Sequence, residues 1–227
     1  MKKLMMIFAL IVSIISAGYS QSGCDRTYIR NKIRDYGECK NVAITKSNGD
    51  VMLYGRNGWA ATSCCPSGLQ NALRELHDKS ELIDDIVLTE NGKWLILYGN
   101  NGFKGSGVPD NLWRKITGDF RNEVVLSATF NDYGDWIIIT KDYYSSSSTW
   151  IQNWLIDGAN DYGQLWAACV TNDAMVAVYE HGYSFYGNVP EKLKTALRET
   201  DLDVFRLKIA GTAWFFADKH GSYRYNM

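Results

Sequence analysis

Few residues in this chain have the type and spacing that chemistry needs. His181 and His220 stand out first, because each precedes a glycine at an equivalent turn. Paired imidazoles could hold a metal or trade protons. Yet the same slot holds Asn57 and Asn101, also followed by glycine. In a tight hairpin the first central residue takes φ > 0, a conformation that Asn and His tolerate better than most residues. The slot therefore reads as a turn. His77 closes a helical segment, where a cation-capable side chain suits the dipole, and nothing pairs it with the other two.

Carboxylates are abundant, as in Asp84-Asp85 and Glu199/Asp201/Asp203. Without a repeated or apolar context they read as solvated charges of loops and helix ends. The stretch "GFKGSG" (102–107) follows a hairpin and leads into a proline, so it reads as a turn rather than a phosphate loop. His-Glu-x-x-His and Gly-x-Ser-x-Gly elements are absent from the sequence. Neither an enzyme activity nor a cofactor or metal is expected.

Five cysteines are present: Cys24, Cys39, Cys64, Cys65 and Cys169. The first four lie in the first third of the chain, and Cys169 sits alone in the apolar run "WAACV". The arithmetic predicts two bridges among Cys24, Cys39, Cys64 and Cys65, with Cys169 a buried thiol. A vicinal bridge is strained, so Cys64 and Cys65 are each expected to bond to Cys24 or Cys39. A redox or zinc site would want Cys-x-x-Cys spacing or nearby His, and the chain has neither.

Aromatic residues recur just after the second turn of each repeating segment: Trp59, Phe103, Tyr144, Tyr183 and Tyr223. Such rings either pack between neighbouring segments, where aromatics bury the most area, or present a face on which a pyranose can stack. They are the candidate ligand-binding residues. Trp94, Trp136 and Trp214, central in the strand pattern, are expected in the core.

The elements that must position these residues follow a repeat. Val51, Trp94, Trp136, Met175 and Trp214 fall in register at separations of 43, 42, 39 and 39 residues. Each is preceded by a short run of strand composition ("VAIT", "IVLT", "LSATF", "ACVT", "LKIA") and followed by another. Two such runs around Gly, Asn or Asp predict an antiparallel hairpin, and the aromatic slot opens a third strand. Helices follow, with Pro66, Pro109 and Pro190 at the first helical position. Leu69/Leu73, Leu112/Ile116 and Leu193/Leu197 form one face of each. The third unit keeps the spacing through Trp150-Ile151 and Trp154-Leu155 without the proline, and its "KDYYSSSST" predicts a looser edge. Shared periods of this length mark a repeat architecture.

The two ends are complementary. Residues 24–36 read as a helix with Ile29 and Ile33 on one face, and no hairpin precedes them. Residues 205–227 read as a hairpin plus third strand with no helix after it. The final strands are expected to meet the opening helix and complete a fifth unit, which removes exposed strand edges. The plan resembles a five-bladed β-propeller across nearly the whole mature chain, although propeller blades usually have four strands. A different closed ring, or a curved α/β array with helices along one side, shares this pattern. The expected fold is mainly β with short helices: five repeats of three strands and a helix, closed into a propeller-like ring. The units run over about 41–83, 84–124, 125–165, 166–204, and 205–227 completed by 24–40, within one domain spanning 21–227.

Lys2 and Lys3 precede an unbroken apolar run, Leu4 to Ala17, and then "AGYS". This is the pattern of a signal peptide over 1–20 with Gln21 as the mature start, and the run is too short for a comfortable membrane span. A lipid anchor at Cys24 is the competing reading, and it alone would imply membrane association; "QSGC" lacks the apolar residue that motif wants. Removing Lys2 and Lys3 leaves 22 basic residues against 25 acidic ones, with no run of like charge, so nucleic acid is not an expected partner. The expected protein is an exported, secreted or periplasmic or cell-surface, non-catalytic binding module. Its partner is an extracellular glycan, met through the recurring aromatics, or a protein in an interaction or envelope-scaffold role. Sugar-binding propellers, which the plan resembles, use rim aromatics in the first way.

Overall fold

The computed structural model describes residues 20, 21 and 23–227. The leader expected over 1–20 lies outside the described residues apart from Ser20. The described residues are mainly β, with five α-helices and five antiparallel three-stranded meanders, the first of them extended by a short parallel strand.

Strand β1 (Ser20–Gln21) precedes helix α1 (Arg26–Tyr36). The first sheet then contains β2 (Asn41–Ala43), β3 (Val51–Tyr54) and β4 (Gly58–Thr62), with β1 added in parallel beside β4. After α2 (Ser67–Asp78) comes the second sheet, β5 (Ile83–Leu88), β6 (Trp94–Tyr98) and β7 (Gly102–Ser106). Helix α3 (Asp110–Arg114) runs on as a π turn over Lys115–Asp119. The third sheet is β8 (Val125–Phe130), β9 (Trp136–Thr140) and β10 (Tyr144–Ser146), followed by α4 (Thr149–Tyr162). The fourth is β11 (Leu165–Val170), β12 (Ala174–Tyr179) and β13 (Gly182–Gly187), followed by α5 (Glu191–Arg198). The fifth is β14 (Arg206–Ala210), β15 (Ala213–Ala217) and β16 (Tyr223–Asn226). The looser edge expected in the third unit is β10, only three residues long.

Each sheet is a meander of consecutive strands, and each helix is buried between two sheets. Leu69 and Leu73 of α2 share a core with the first and second sheets. Leu112 and Ile116 lie between the second and third, Ile151 and Leu155 between the third and fourth, and Leu193 and Leu197 between the fourth and fifth. All eight are at most 1% exposed. Burying one such side chain is worth roughly 1.5–3 kcal/mol, so the helical face read from spacing is the fold's mortar. The prolines sit one place earlier than expected, as N-caps with extended ψ: Pro66, Pro109 and Pro190 precede the first helical residue.

The fifth junction is filled from the other end of the chain. Ile29 and Ile33 of α1 pack with Phe215 and Ala217 of β15 on one side and with Val42, Met52 and Ala60 of the first sheet on the other. Arg30 donates to the Met227 carbonyl at 3.2 Å. The first strands of the sheets also touch in series: β2 meets β5, β5 meets β8, β8 meets β11, β11 meets β14, and β14 meets β2.

The asparagine–glycine slot differs in mechanism from its expectation. In the first sheet the positive φ falls on Gly55, not on Asn57; in the second, Gly99 and Asn101 both adopt it. Gly58 and Gly102 serve a steric role instead. A Cβ at Gly58 would come within 2.4 Å of the Tyr54 ring, and one at Gly102 within 2.5 Å of the Tyr98 ring. The asparagines reach outward: Asn57 Nδ2 donates to the His77 carbonyl ending α2, and Asn101 Nδ2 to the Arg121 carbonyl.

Cysteine pairing is the clearest correction. Cys24 and Cys64 form a disulfide, but Cys39 and Cys65 are free and buried, as is Cys169. Cys39 packs in the α1 core while Cys65 packs in the α2 core, so the second expected bridge is separated by a strand layer. Each thiol donates locally instead, Cys39 to the Asn41 carbonyl and Cys65 to that of Asp50. Burial pushes the Cys39 and Cys65 thiols up to about 12 and Cys169 up to about 11. The bridge closes a sequence separation of 40 residues and fastens the segment before α1 to the loop after β4.

Loss of that bridge in Cys64→Ser should lower unfolding stability by about 4 kcal/mol in the chain-entropy treatment. Denaturant titration with and without reductant measures it, and the variant should be insensitive to reductant. The native protein should show no thiol reactive toward an aromatic disulfide reagent until it unfolds.

Candidate functional site

Among the described residues, one of the most heavily bonded side chains is one that composition alone places on the surface. Asp84 and Asp85 do not lie in a solvated loop; they fall at the start of β5, and Asp85 is 1% exposed. Its Oδ1 accepts from Lys208 Nζ at 2.7 Å, Asn41 Nδ2 at 2.6 Å and the Ile86 amide at 2.8 Å; its Oδ2 accepts from Ser127 Oγ at 2.8 Å. Side chains from the first, third and fifth sheets thus converge on a carboxylate of the second. Burial, the largest single effect, pushes the carboxyl up, but the charges of Lys208 and Arg206 and these hydrogen bonds outweigh it, leaving it below its ordinary value.

Where the first strands run into their hairpin turns, those turns grip one another. Asp132 accepts from Thr89 Oγ1 at 2.6 Å and Asn172 Nδ2 at 3.0 Å, Glu90 accepts from the Lys46 amide, and Lys46 Nζ pairs with Asp173. The cavity beneath them is about 50 Å³, room for one or two waters. It is a joint, too small for an organic ligand.

The aromatic slot occupies a different region, on the third strands. Trp59 is buried in the core between the first two sheets. Phe103, Tyr144, Tyr183 and Tyr223 are half-buried, each against a different core cluster. Burial pushes the phenols of Tyr144, Tyr183 and Tyr223 up. The five are not brought together. Two of them, however, line open grooves that form where a helix meets the outer strand of the next sheet.

The first groove, about 460 Å³, runs between α2 and β7 and is lined by Trp94, Phe103 and Trp113, with Asn71, Glu75 and Lys104 at its edge. Phe103 and Trp113 meet edge to face with centroids 5.1 Å apart. Lys104 donates to Glu75 at 2.7 Å, and hydrogen bonds from Lys104 and then Lys79 hold that carboxyl down to about 2, so it stays charged. The second groove, about 620 Å³, repeats the arrangement between α5 and β16, with Trp214, Tyr223 and Tyr225 against Thr195, Glu199 and Arg224. The buried Trp214 Nε1–H has no partner among the described residues. At the α4–β13 boundary an exposed pair, Trp150 and Tyr186, holds its centroids 5.1 Å apart.

Periodicity located Phe103 and Tyr223 but missed their partners. Trp113 packs partly against the core between the second and third sheets and Glu75 lies at the edge of α2, and only the packing of one unit on the next reveals that they face a groove. Two grooves with aromatic walls and charged or amide edges can hold a ring by one face and its hydroxyls by the rim. His181 and His220 lie exposed on separate turns, and the described residues contain no cluster able to hold a metal ion. No described helix is long and apolar enough to cross a membrane. No protein-family model, curated protein or solved structure matches the chain.

Lys208→Met should cost roughly 3–5 kcal/mol, because it strands a buried carboxylate; adding Asp85→Asn should recover part of that loss, as read by chemical denaturation. Since Asp85 titrates below its ordinary value when folded, its contribution is present above about pH 4 and is lost as pH falls through the folded value. The Asp85→Asn protein should therefore lose less stability between pH 5 and pH 2 (a range on the order of the carboxylate window) than the parent does.

Proposed function

We propose that the five sheets close into a propeller-like ring, and that the protein is an exported, non-catalytic module that binds glycan in its peripheral grooves. The observation that carries the reading is that one groove design is built twice, at the α2–β7 and α5–β16 boundaries, with aromatic walls and a carboxylate on the rim. Aromatic rings offer a pyranose a flat apolar face at low entropic cost, while Glu75, Asn71 and Lys104 offer its hydroxyls both acceptors and donors. Ring closure is supported by the contact of β14 with β2 and by α1 packing between the fifth and first sheets. Export is supported by the Cys24–Cys64 disulfide, a bond that persists in oxidising compartments, and by the leader pattern.

A protein partner in an interaction or scaffold role is the second reading. It is favoured by aromatic surface outside the grooves, with Tyr133 77% and Tyr143 60% exposed.

A glycan array followed by calorimetric titration tests the first reading. Neutral oligosaccharides should bind, and Trp113→Ala and Tyr225→Ala should each weaken binding about tenfold, equivalent to roughly 1.4 kcal/mol. Binding that is absent from the array, or indifferent to both substitutions, defeats it.

A further inference from the structure

The five first strands end, opposite the gripped turns, at a mouth whose residues do not repeat. In β5, β8 and β11 the pairing register slips by one residue at the same place, between Ile83 and Asp85, Val125 and Ser127, and Leu165 and Ala167. The residue left over in each bulge is Asp84, Leu126 or Trp166. The first sheet has Lys40 at this place, its amide bonded to the Leu53 carbonyl although Leu53 already pairs with Asn41. The fifth has Phe205 and Arg206, both set against Ala217. Bulges re-aim side chains and are enriched beside functional sites. Here one structural device presents an amine, a carboxylate, an isobutyl group, an indole and a guanidinium.

These groups are neighbours, and no ion pair joins the charged ones among the described residues. Asp84, Leu126 and Arg206 line one cavity of about 170 Å³, room for about six waters at the liquid's ~30 Å³ each. Burial pushes the Asp84 carboxyl up while the charges of Lys40 and Arg206 pull it down, so all three share one field. Yet Asp84 accepts no hydrogen bond among the described residues. Arg206 spends one N–H on the adjacent Phe205 carbonyl, and Lys40 Nζ donates to the Arg56 carbonyl. The Trp166 ring stacks on Phe205 at 5.0 Å, and Leu126 is 38% exposed. The contrast with Asp85, one residue along and bonded on both oxygens, is sharp.

We propose that this mouth binds a free amino acid with an apolar side chain. The carboxylate lies on Arg206 with Lys40 behind it, the ammonium on Asp84, and the side chain against Leu126 on the side toward Trp166. A zwitterion offers an ammonium to the carboxylate that has no hydrogen bond and a carboxylate to the remaining N–H groups of the guanidinium across the cavity, and it leaves the apolar members of the mouth to select the side chain. This site is separate from the peripheral grooves and does not rest on glycan binding there.

The test is calorimetric titration of the full mature chain with L-leucine and L-phenylalanine, beside N-acetyl-L-leucine, which lacks the ammonium, and L-leucinamide, which lacks the carboxylate. At least one amino acid should bind, and each leucine analogue should bind at least tenfold more weakly than leucine. Asp84→Asn should weaken leucine and abolish the preference over the N-acetyl analogue; Arg206→Gln should weaken leucine and abolish the preference over the amide. Trp113→Ala in the groove should leave leucine binding unchanged, and thermal unfolding confirms that each variant is folded. The proposal is overturned if neither amino acid gives heat or displaces the other at millimolar concentration, if leucine and its two analogues bind alike, or if both mouth substitutions leave the preferences intact.

Discussion

One buried carboxylate holds the register of this molecule. Stripping water from Asp85 costs several kcal/mol, and a single amine in the interior recovers that only when the remaining lone pairs are also filled. Lys208, Asn41, Ser127 and the Ile86 amide fill them. Such a cluster adds little net stability over a well-packed apolar core, but it is exacting about position. Slipping any of β2, β5, β8 or β14 by one residue would turn its polar group to the opposite face and leave a charge or amide stranded. Four sheets are therefore fixed relative to one another by one residue, and the helices pack into boundaries whose geometry is already set.

The fifth boundary obeys the same packing physics with a different chain connectivity. Four helices follow directly from the sheets they cover, so their contacts are local in sequence. Helix α1 instead reaches β15 and the Met227 carbonyl across a separation of 197 residues. Loop-closure entropy grows only slowly with length, so this junction is not much more costly at equilibrium than the others. Kinetically it differs, since non-local contacts form late when their closure must precede their reward. The Cys24–Cys64 bridge attaches the segment before α1 to the first sheet, which shortens the search for that half of the junction.

What the sequence makes legible is whatever repeats. Leu69/Leu73, Ile151/Leu155 and their equivalents announce helical faces, and runs such as "LILYG" announce strands, because periodicity depends on each element alone. Asp85 was invisible in that sense: an Asp-Asp pair looks solvated until a bulge and three other sheets surround it. The cysteines misled for a related reason, since Cys65 adjoins a bonded neighbour yet faces the next core. Gly58 shows a subtler case, where the right residue is predicted in a turn from a backbone rule while its place is set by the Tyr54 ring above it. Trp113 and Glu75 needed the neighbouring unit before they became walls of a groove. In each instance the missing information was contact between units, which a repeat read one period at a time does not contain.

Repetition also gives a criterion for separating scaffold from site. Where five equivalent positions carry similar residues, packing explains them, as with the leucines and isoleucines of the helices. Where they differ, satisfaction decides. Asn41, Asp85 and Ser127 differ from one another, yet each is bonded to the others' cluster and the difference is internal to the fold. Lys40, Asp84, Leu126, Trp166 and Arg206 also differ, but their charged groups look past one another and their apolar members remain partly open to solvent. Arg206 offsets part of the burial of Asp85, but Asp84, lining the same cavity, accepts no hydrogen bond among the described residues and keeps part of its desolvation cost. The strand bulges that present these residues are thus the part of the repeat whose differences the fold's own hydrogen bonds account for least.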